Sequence, residues 1–502
     1  MLRQIRRIIA LVFFVFITMM FLDFTGLFRA YMGWLAKVQF IPAVLSVNAV
    51  IFGSIILFTL IFGRVYCSVI CPLGITQDGI SNISGKRKSK KARFRYLKSG
   101  LWLRYGFLAL FILGIAAGYS IIVSLLDPYA SYGRIVSSLL SPVYLIGNNV
   151  LAQIAENMGS YAFYPADVWF KGFLISGITV VTLAVVSILA WKNGRIYCNT
   201  VCPVGTVLGL FSRFSIFSIA VDKEKCNKCG LCERVCKSSC IDSENNKIDL
   251  SRCVTCFNCI DKCNTGAIRY APFKICRGKN KPAESPAGND KTKGISRLSF
   301  ISIAGMFAFT HTIKAQQLQA DGGLAEIEDK KVPDRKTPVL PPGAIGLRNM
   351  KTHCTACQLC VSVCRNNILR PSGKFSTLMQ PEMSFERGYC RPECVECSQA
   401  CPTGAITRIN PAEKSAIAIG HAVWIKDNCI VNTDELACTA CERHCPTKAI
   451  TLVAKEPDKR NSLKIPAIDK ELCIGCGACE YHCPSRPFSA IYVEGNERHH
   501  SV

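Results

Sequence analysis

Between Cys354 and Cys483 lie sixteen of the chain's thirty cysteines, arranged in four blocks. They run Cys354-x2-Cys357-x2-Cys360-x3-Cys364, then Cys390-x3-Cys394-x2-Cys397-x3-Cys401-Pro402, then Cys429-x8-Cys438-x2-Cys441-x3-Cys445-Pro446, then Cys473-x2-Cys476-x2-Cys479-x3-Cys483-Pro484. A four-iron cube presents its irons at the corners of a tetrahedron. A short loop with a cysteine every third residue wraps three corners, and the fourth thiolate arrives from another block. Proline after the last cysteine turns the chain away from helix. Four blocks therefore predict four [4Fe–4S] clusters. Disulfides do not require such spacing four times over, and a zinc site takes two cysteine pairs rather than a triplet plus a distant fourth. Nesting the outer pair of blocks around the inner pair predicts Cys354, Cys357 and Cys360 with Cys483; Cys473, Cys476 and Cys479 with Cys364; Cys390, Cys394 and Cys397 with Cys445; and Cys429, Cys438 and Cys441 with Cys401.

The remaining chain reads as a membrane protein, since half of its 502 residues are hydrophobic. Four apolar stretches, about 8–27, 43–62, 101–126 and 172–191, each approach the ~20 residues a helix needs to cross a bilayer. A formal charge of +25 raises the question of nucleic acid, but the basic residues cluster around these stretches. Arg3, Arg6 and Arg7 precede the first, and residues 86–98, KRKSKKARFRYLK, follow the second with eight Lys or Arg and no acid. The positive-inside rule explains that placement, so no nucleic-acid partner is expected and both regions face the cytoplasm. The nearly neutral connection from Asp127 to Asp167 is expected on the outer face.

The bundle carries an internal repeat. Gly63-Arg64-Val65-Tyr66-Cys67-x3-Cys71-Pro72-Leu73-Gly74 recurs as Gly194-Arg195-Ile196-Tyr197-Cys198-x3-Cys202-Pro203-Val204-Gly205. Two spans separate the copies, so both emerge on the cytoplasmic side, and Cys67, Cys71, Cys198 and Cys202 can converge on an additional redox or metal site. The alternative is small buried residues packing helix ends, but both copies keep the full Gly-Arg-x-Tyr-Cys-x3-Cys-Pro frame, which favours the functional reading.

Two compact blocks follow: Cys226-x2-Cys229-x2-Cys232-x3-Cys236 and Cys253-x2-Cys256-x2-Cys259-x3-Cys263. Their proximity predicts a two-cluster ferredoxin with crosswise ligation, Cys263 joining the first triplet and Cys236 the second. Lys237 and Asn264 stand where proline follows three of the four later blocks. Cys240 and Cys276 are left over without a role. A basic linker then leads to a 13-residue apolar run, 298–310, short for a span and closer to a signal or anchor. Before it, Ser296-Arg297-Leu298-Ser299-Phe300-Ile301 resembles a twin-arginine export signal with Leu298 in place of the second arginine.

With these features in hand, residues 1–275 resemble the NapH/MauN membrane ferredoxins, on their spans, twin Cys-x3-Cys-Pro turns and two cluster blocks. Residues 295–490 resemble the NapG/MauM periplasmic ferredoxins, on the export-like segment, Pro341-Pro342-Gly343 and four blocks. The resemblance implies a quinol-dehydrogenase module of the bacterial inner membrane, passing electrons from the quinol pool to an outer-side reductase or into a maturation pathway.

The expected fold is an α-helical membrane bundle of four spans plus a fifth short apolar segment, with α+β bacterial-type ferredoxin domains. Expected divisions are 1–215 membrane domain, 216–273 cytoplasmic two-cluster ferredoxin, 274–315 linker and short apolar segment, 316–343 polar tether, and 344–495 four-cluster ferredoxin, with 316–502 periplasmic. Six clusters, membrane lipid, quinol and a redox partner protein are the expected cofactors and partners. All seven histidines lie at 311 or later, so the bundle has no bis-histidine haem, and no Cys-x2-Cys-His occurs. Ser176-Gly177-Ile178-Thr179 resembles a flavin-attachment pattern only loosely, inside an apolar span, and no flavin is expected. Electron flow from a ferredoxin into quinone, or a redox- or iron-sensing membrane regulator, are the competing readings. Asp127, beside Pro128 and Tyr129, is either a proton acceptor or, more simply, an interfacial helix cap.

Overall fold

The computed structural model describes residues 1–87, 94–98, 100–168, 171–272, 328–459 and 462–502. Most of the basic loop after residue 87, the linker with Cys276, the 298–310 apolar run and the first part of the tether lie outside the described residues. A helical N-terminal region carries several apolar candidate spans, and the ferredoxin domains pack against it.

Helix α1 (Leu2–Leu22) is the first candidate span, and Phe173–Asn193, here α7, is another. The second apolar stretch is divided: a short turn ends near Ser46, and Asn48 caps α2 (Ala49–Phe62) by accepting from the Ile51 amide at 3.1 Å. Beyond the first Cys-x3-Cys-Pro turn runs α3 (Pro72–Arg87). The third stretch is also divided. It forms α4 (Leu101–Ala116), reverses at Gly118, whose φ is +71°, and folds back as α5 (Ser120–Leu126), with Ile122 against Gly114.

The expected outer connection from Asp127 to Asp167 is instead mostly helix. Pro128–Asn157, α6, runs for 30 residues through a π-turn at Val136–Leu140 and is itself long and apolar enough to cross a membrane. Pro128 at its first turn has a fixed φ suited to a helix start, and Asp127 accepts from the Tyr129 amide at 3.0 Å. Asp127 thus caps the helix, one of its two expected roles, and is fully buried, beside Tyr66 and Tyr197. The α5–α6 reversal is buried within the protein, Leu126, Asp127 and Tyr129 all being shielded from solvent.

After α8 (Pro203–Ser212), five antiparallel two-stranded sheets among the described residues carry the cysteine loops. In the first module β1 (Phe217–Val221) pairs with β4 (Ile268–Pro272), and β2 (Ile241–Asp242) with β3 (Lys247–Ile248). In the last domain β5 (Leu369–Pro371) pairs with β6 (Pro381–Met383), and β8 (Ile450–Ala454) with β9 (Lys464–Ile468). Strand β7 (Ile417–Trp424) pairs with β10 (Ile491–Ser501), so the tail beyond Cys483 closes the domain. The described part of the expected tether is bound to that domain too. Arg335 donates to the Val493 carbonyl at 2.7 Å and pairs with buried Glu480 at 2.6 Å.

The two ferredoxin regions sit at opposite ends of the bundle. At one end Arg3 pairs with Asp261 at 2.9 Å, the Ile216 amide donates to Leu60, and the Arg195 amide donates to the Lys237 carbonyl at 2.8 Å. At the other, Arg29 pairs with Glu396, Arg365 donates to the Thr25 carbonyl at 3.2 Å, and Ile175 packs with Ala356 and Met379. Helices α1 and α7 connect these ends, a length of ~30 Å for about twenty residues.

Candidate metal centres

The first module brings its thiols together as its spacing predicts. Cys226, Cys229, Cys232 and Cys263 line one cavity. Cys236, Cys253, Cys256 and Cys259 line a second, which Cys240 shares.

The backbone of these loops carries the main sign that a polyanionic cluster fits. The residues on either side of the second cysteine have left-handed conformations: φ is +54° and +70° at Lys228 and Gly230, and +46° and +60° at Thr255 and Phe257. The same pair of angles recurs at Ala356 and Gln358, +53° and +62°, and at Gly475 and Gly477, +72° and +79°. Left-handed residues alternating with ordinary ones aim successive N–H groups into one concavity, the nest that favours iron–sulfur clusters and phosphates. Five of those eight residues are not glycine, and such conformations cost ~1–2 kcal/mol each. The two blocks with stretched spacing, Cys390-x3-Cys394 and Cys429-x8-Cys438, lack this paired pattern.

In the last domain the structure overturns the nested pairing. The chain turns at 359–362 and 396–400 pack together, as do those at 440–443 and 478–482, so neighbouring blocks pair. Burial, then the adjacent thiolates Cys357, Cys354 and Cys401, pushes the Cys360 thiol well up. Burial, then Cys390 and Cys364, does the same at Cys397. Burial and then Cys438 push up the Cys441 thiol, to about 12, with Cys483 also beside it; burial and then Cys473 do so at Cys476, where Cys445 is a neighbour. Cys354, Cys357 and Cys360 thus meet Cys401; Cys390, Cys394 and Cys397 meet Cys364; Cys473, Cys476 and Cys479 meet Cys445. Cys429, Cys438 and Cys441 pack with Cys483. Short loops close at lower entropic cost than the long ones nesting requires. A metal bound by such thiols would displace their protons, since the ligating form is the thiolate. Among the described residues no three His, Cys, Asp or Glu side chains close on one point as ligands of a lone ion.

The four bundle cysteines are all buried in one packed cluster. The two halves of the repeat exchange their arginines: Arg64 donates to the Cys198 carbonyl at 3.3 Å and Arg195 to the Cys67 carbonyl. Both guanidinium groups are completely buried. Gln77 donates to the Cys198 sulfur at 3.3 Å, and Arg64 lies 3.8 Å from that of Cys67. A Cβ at Gly74 would strike the Cys67 carbonyl, and one at Gly205 the Cys198 carbonyl. Arg64, Arg195, Gly74 and Gly205 thus tie each half of the repeat to the other or shape the thiol quartet.

Asp78, on α3, anchors the inner module. It meets Arg195 at 2.8 Å, Arg6 at 3.2 Å and the Lys237 ammonium at 3.6 Å, all buried. Burial alone would raise its pKa, but Arg195, Lys237 and Arg6 outweigh that and hold it well below the usual carboxylate range. Its sequence signal was faint: it is the single acid between Pro72 and Arg87.

One hydrophobic core unites Cys256 of the inner module, the quartet, and Cys357 of the last domain. Between quartet and Cys357 stand Tyr129 and Asp127, and the Asp127 Oδ2 and the Tyr129 and Tyr197 hydroxyls have no hydrogen-bond partner among the described residues.

A family described as "4Fe-4S binding domain" matches residues 47–91 and 173–221, the two halves of the repeat, and one described as "4Fe-4S dicluster domain" matches 436–486. An uncharacterised protein of Methanocaldococcus jannaschii is 39% identical over 107 residues, 21% of this chain and 43% of its own length. The ferredoxin-type protein NapH of Escherichia coli is 23% identical over 232 residues, 45% of this chain and 67% of its own. The methylamine utilization ferredoxin-type protein MauM of Methylophilus methylotrophus is 34% identical over 155 residues, 28% of this chain and 65% of its own. The chain thus spans less than half of the first of these relatives. No solved structure matches. These matches support a NapH/MauN-type polyferredoxin with 4Fe-4S domains and apolar helices.

Proposed function

We propose that this NapH/MauN-type polyferredoxin conducts electrons across the bacterial inner membrane, from the quinol pool to an outer-side acceptor protein. Six [4Fe–4S] clusters form its terminal segments, two in the inner module and four in the last domain. Their ligands are the twenty-four cysteines of the six blocks, in the pairings just described. Cys67, Cys71, Cys198 and Cys202 hold a further metal–sulfur centre where the bundle meets the inner module; buried Arg64 and Arg195 balance its negative charge. When bound, the clusters supply one-electron chemistry, with potentials set by hydrogen bonds and exposure. The protein's own contribution is to fix the thiols, exclude water and align the centres.

The observation that carries this reading is the single packed core running from Cys256 through the quartet to Cys357, with the ferredoxin regions at opposite bundle ends. Arg3, Arg6 and Arg7 at the inner module's end support a cytoplasmic position for it, by the positive-inside rule. The last domain then faces the periplasm.

The test is electron transfer through sealed proteoliposomes. Membrane-impermeant reductant outside should reduce an acceptor trapped inside, and a quinol analogue should reduce the clusters anaerobically. A reporter fused after Gly323 should report an external position. Cytoplasmic reporter activity there, with no transfer through the vesicle wall, would overturn the proposal. So would cluster loss that alters partner binding without quinol turnover, the behaviour of a sensor.

A further inference from the structure

The two cavities of the inner module are unequal. The first is lined by four thiols, one for each corner of a cube. The second is lined by five, because Cys240 stands beside Cys236 with the sulfurs 3.5 Å apart. Both are buried, Cys240 at 1% exposure and Cys236 at 6%. Cys253, Cys256 and Cys259 account for three corners, so two thiols face one remaining corner.

The backbone holds both in place. Ser239 adopts φ of +50°, and its amide donates to the Cys236 carbonyl at 3.0 Å, closing a tight turn. The Asp249 amide donates to the Cys240 carbonyl at 2.9 Å. The later blocks Cys390–Cys401, Cys429–Cys445 and Cys473–Cys483 have proline after their fourth cysteine; Lys237 stands here, its carbonyl accepting from the Arg195 amide and its ammonium reaching Asp78. Ser238 is held through its carbonyl by Asn199. The turn carrying both thiols is therefore fastened to the residues that flank Cys198, at the junction between module and quartet.

We propose that Cys240 is an interchangeable fourth ligand of the second inner cluster, sharing that corner with Cys236. This rests on the cluster reading above. The exchange is balanced and redox-neutral. The iron–sulfur bond to Cys236 breaks as one to Cys240 forms, and the proton leaving the Cys240 thiol passes to the Cys236 thiolate. The displaced thiol then donates a hydrogen bond to the ligating sulfur, the kind of contact that tunes cluster potential. The spare donor keeps a corner filled at the step electrons take between the module and the bundle.

Iron content and low-temperature paramagnetic resonance of anaerobically purified full-length protein test the proposal. Cys259→Ala, removing a ligand that Cys240 does not neighbour, should lower iron by about four per chain. Cys236→Ala and Cys240→Ala should each retain that iron, and the double variant should lose it. The reduced wild-type spectrum should contain two forms of the second cluster, and Cys240→Ala should show one. Loss of the same iron in Cys236→Ala as in Cys259→Ala would overturn the proposal. Should Cys236→Ala not accumulate, a Cys240→Ala spectrum superimposable on wild type would overturn it equally. Absence of any cubane signal from the wild type would instead sink the cluster reading itself.

Discussion

Replacing Asp78 with Asn should detach the inner module from the bundle. The carboxylate faces Arg6, Arg195 and Lys237, and none of the four side chains exceeds 10% exposure. The amide keeps the shape but leaves three buried cations without a counter-charge, and breaking a buried pair in this way costs ~3–5 kcal/mol. For a unit of this size each kcal/mol moves the melting temperature by roughly 2–4 °C, so a fall of roughly 6–20 °C is expected. Because the group is buried, added salt should change this little. The control is Asp78→Asn with Lys237→Met, which removes one orphaned cation and should recover at least ~1 kcal/mol, a coupling that independent sites do not show. The assay is anaerobic thermal unfolding in detergent, followed by the cluster absorbance. The depressed Asp78 pKa gives a second handle: its contribution is complete above the ordinary carboxylate pKa and is lost as pH falls through the lower folded value. Melting within ~1 °C of wild type, or no recovery in the double variant, would refute the anchoring role.

Other outcomes follow from single positions. Gly205→Ala drives a methyl group into the Cys198 carbonyl, so iron assigned to the quartet should fall while the ferredoxin signals persist; iron analysis of the variant checks this. Cys202→Ser should abolish transfer through proteoliposome walls yet leave reduction of the inner module from its own side intact. At Lys228, φ of +54°, glycine should stabilise by about 1 kcal/mol, whereas Gly475→Ala combines φ of +72° with a Cβ 2.6 Å from the Gly420 amide nitrogen and should destabilise by more; thermal unfolding reads both. Burial, then His500, lowers the His499 pKa to about 4, so its contribution is present above pH ~6.5 and lost between there and pH ~4. Hydrogen exchange along β10 should rise in that window, by up to ~3 kcal/mol of local stability, and His499→Phe should abolish the pH dependence.

What could be read from the sequence follows from how local the determinant is. Cysteines three residues apart already specify a loop that wraps a cube, and the repeated Gly-Arg-x-Tyr-Cys frame already places four thiols on one side of the bundle. Which fourth cysteine completes which triplet depends on how blocks dock, and cysteine spacing alone does not distinguish nested from neighbouring pairs. Helix 128–157 escaped notice because Ser, Gly and Asn dilute its apolar character, and because few charges in a connection suit an outer loop as well as a buried helix. The exchanged arginines carried a signal, recurrence at 64 and 195, but their role is legible only once each is seen reaching the opposite half's cysteine carbonyl. That exchange makes the quartet one unit rather than two independent turns: losing either arginine disturbs thiols contributed by both halves. The same residues that tie the two halves together also grip Lys237 and Ser251, so the quartet is fixed relative to the inner module.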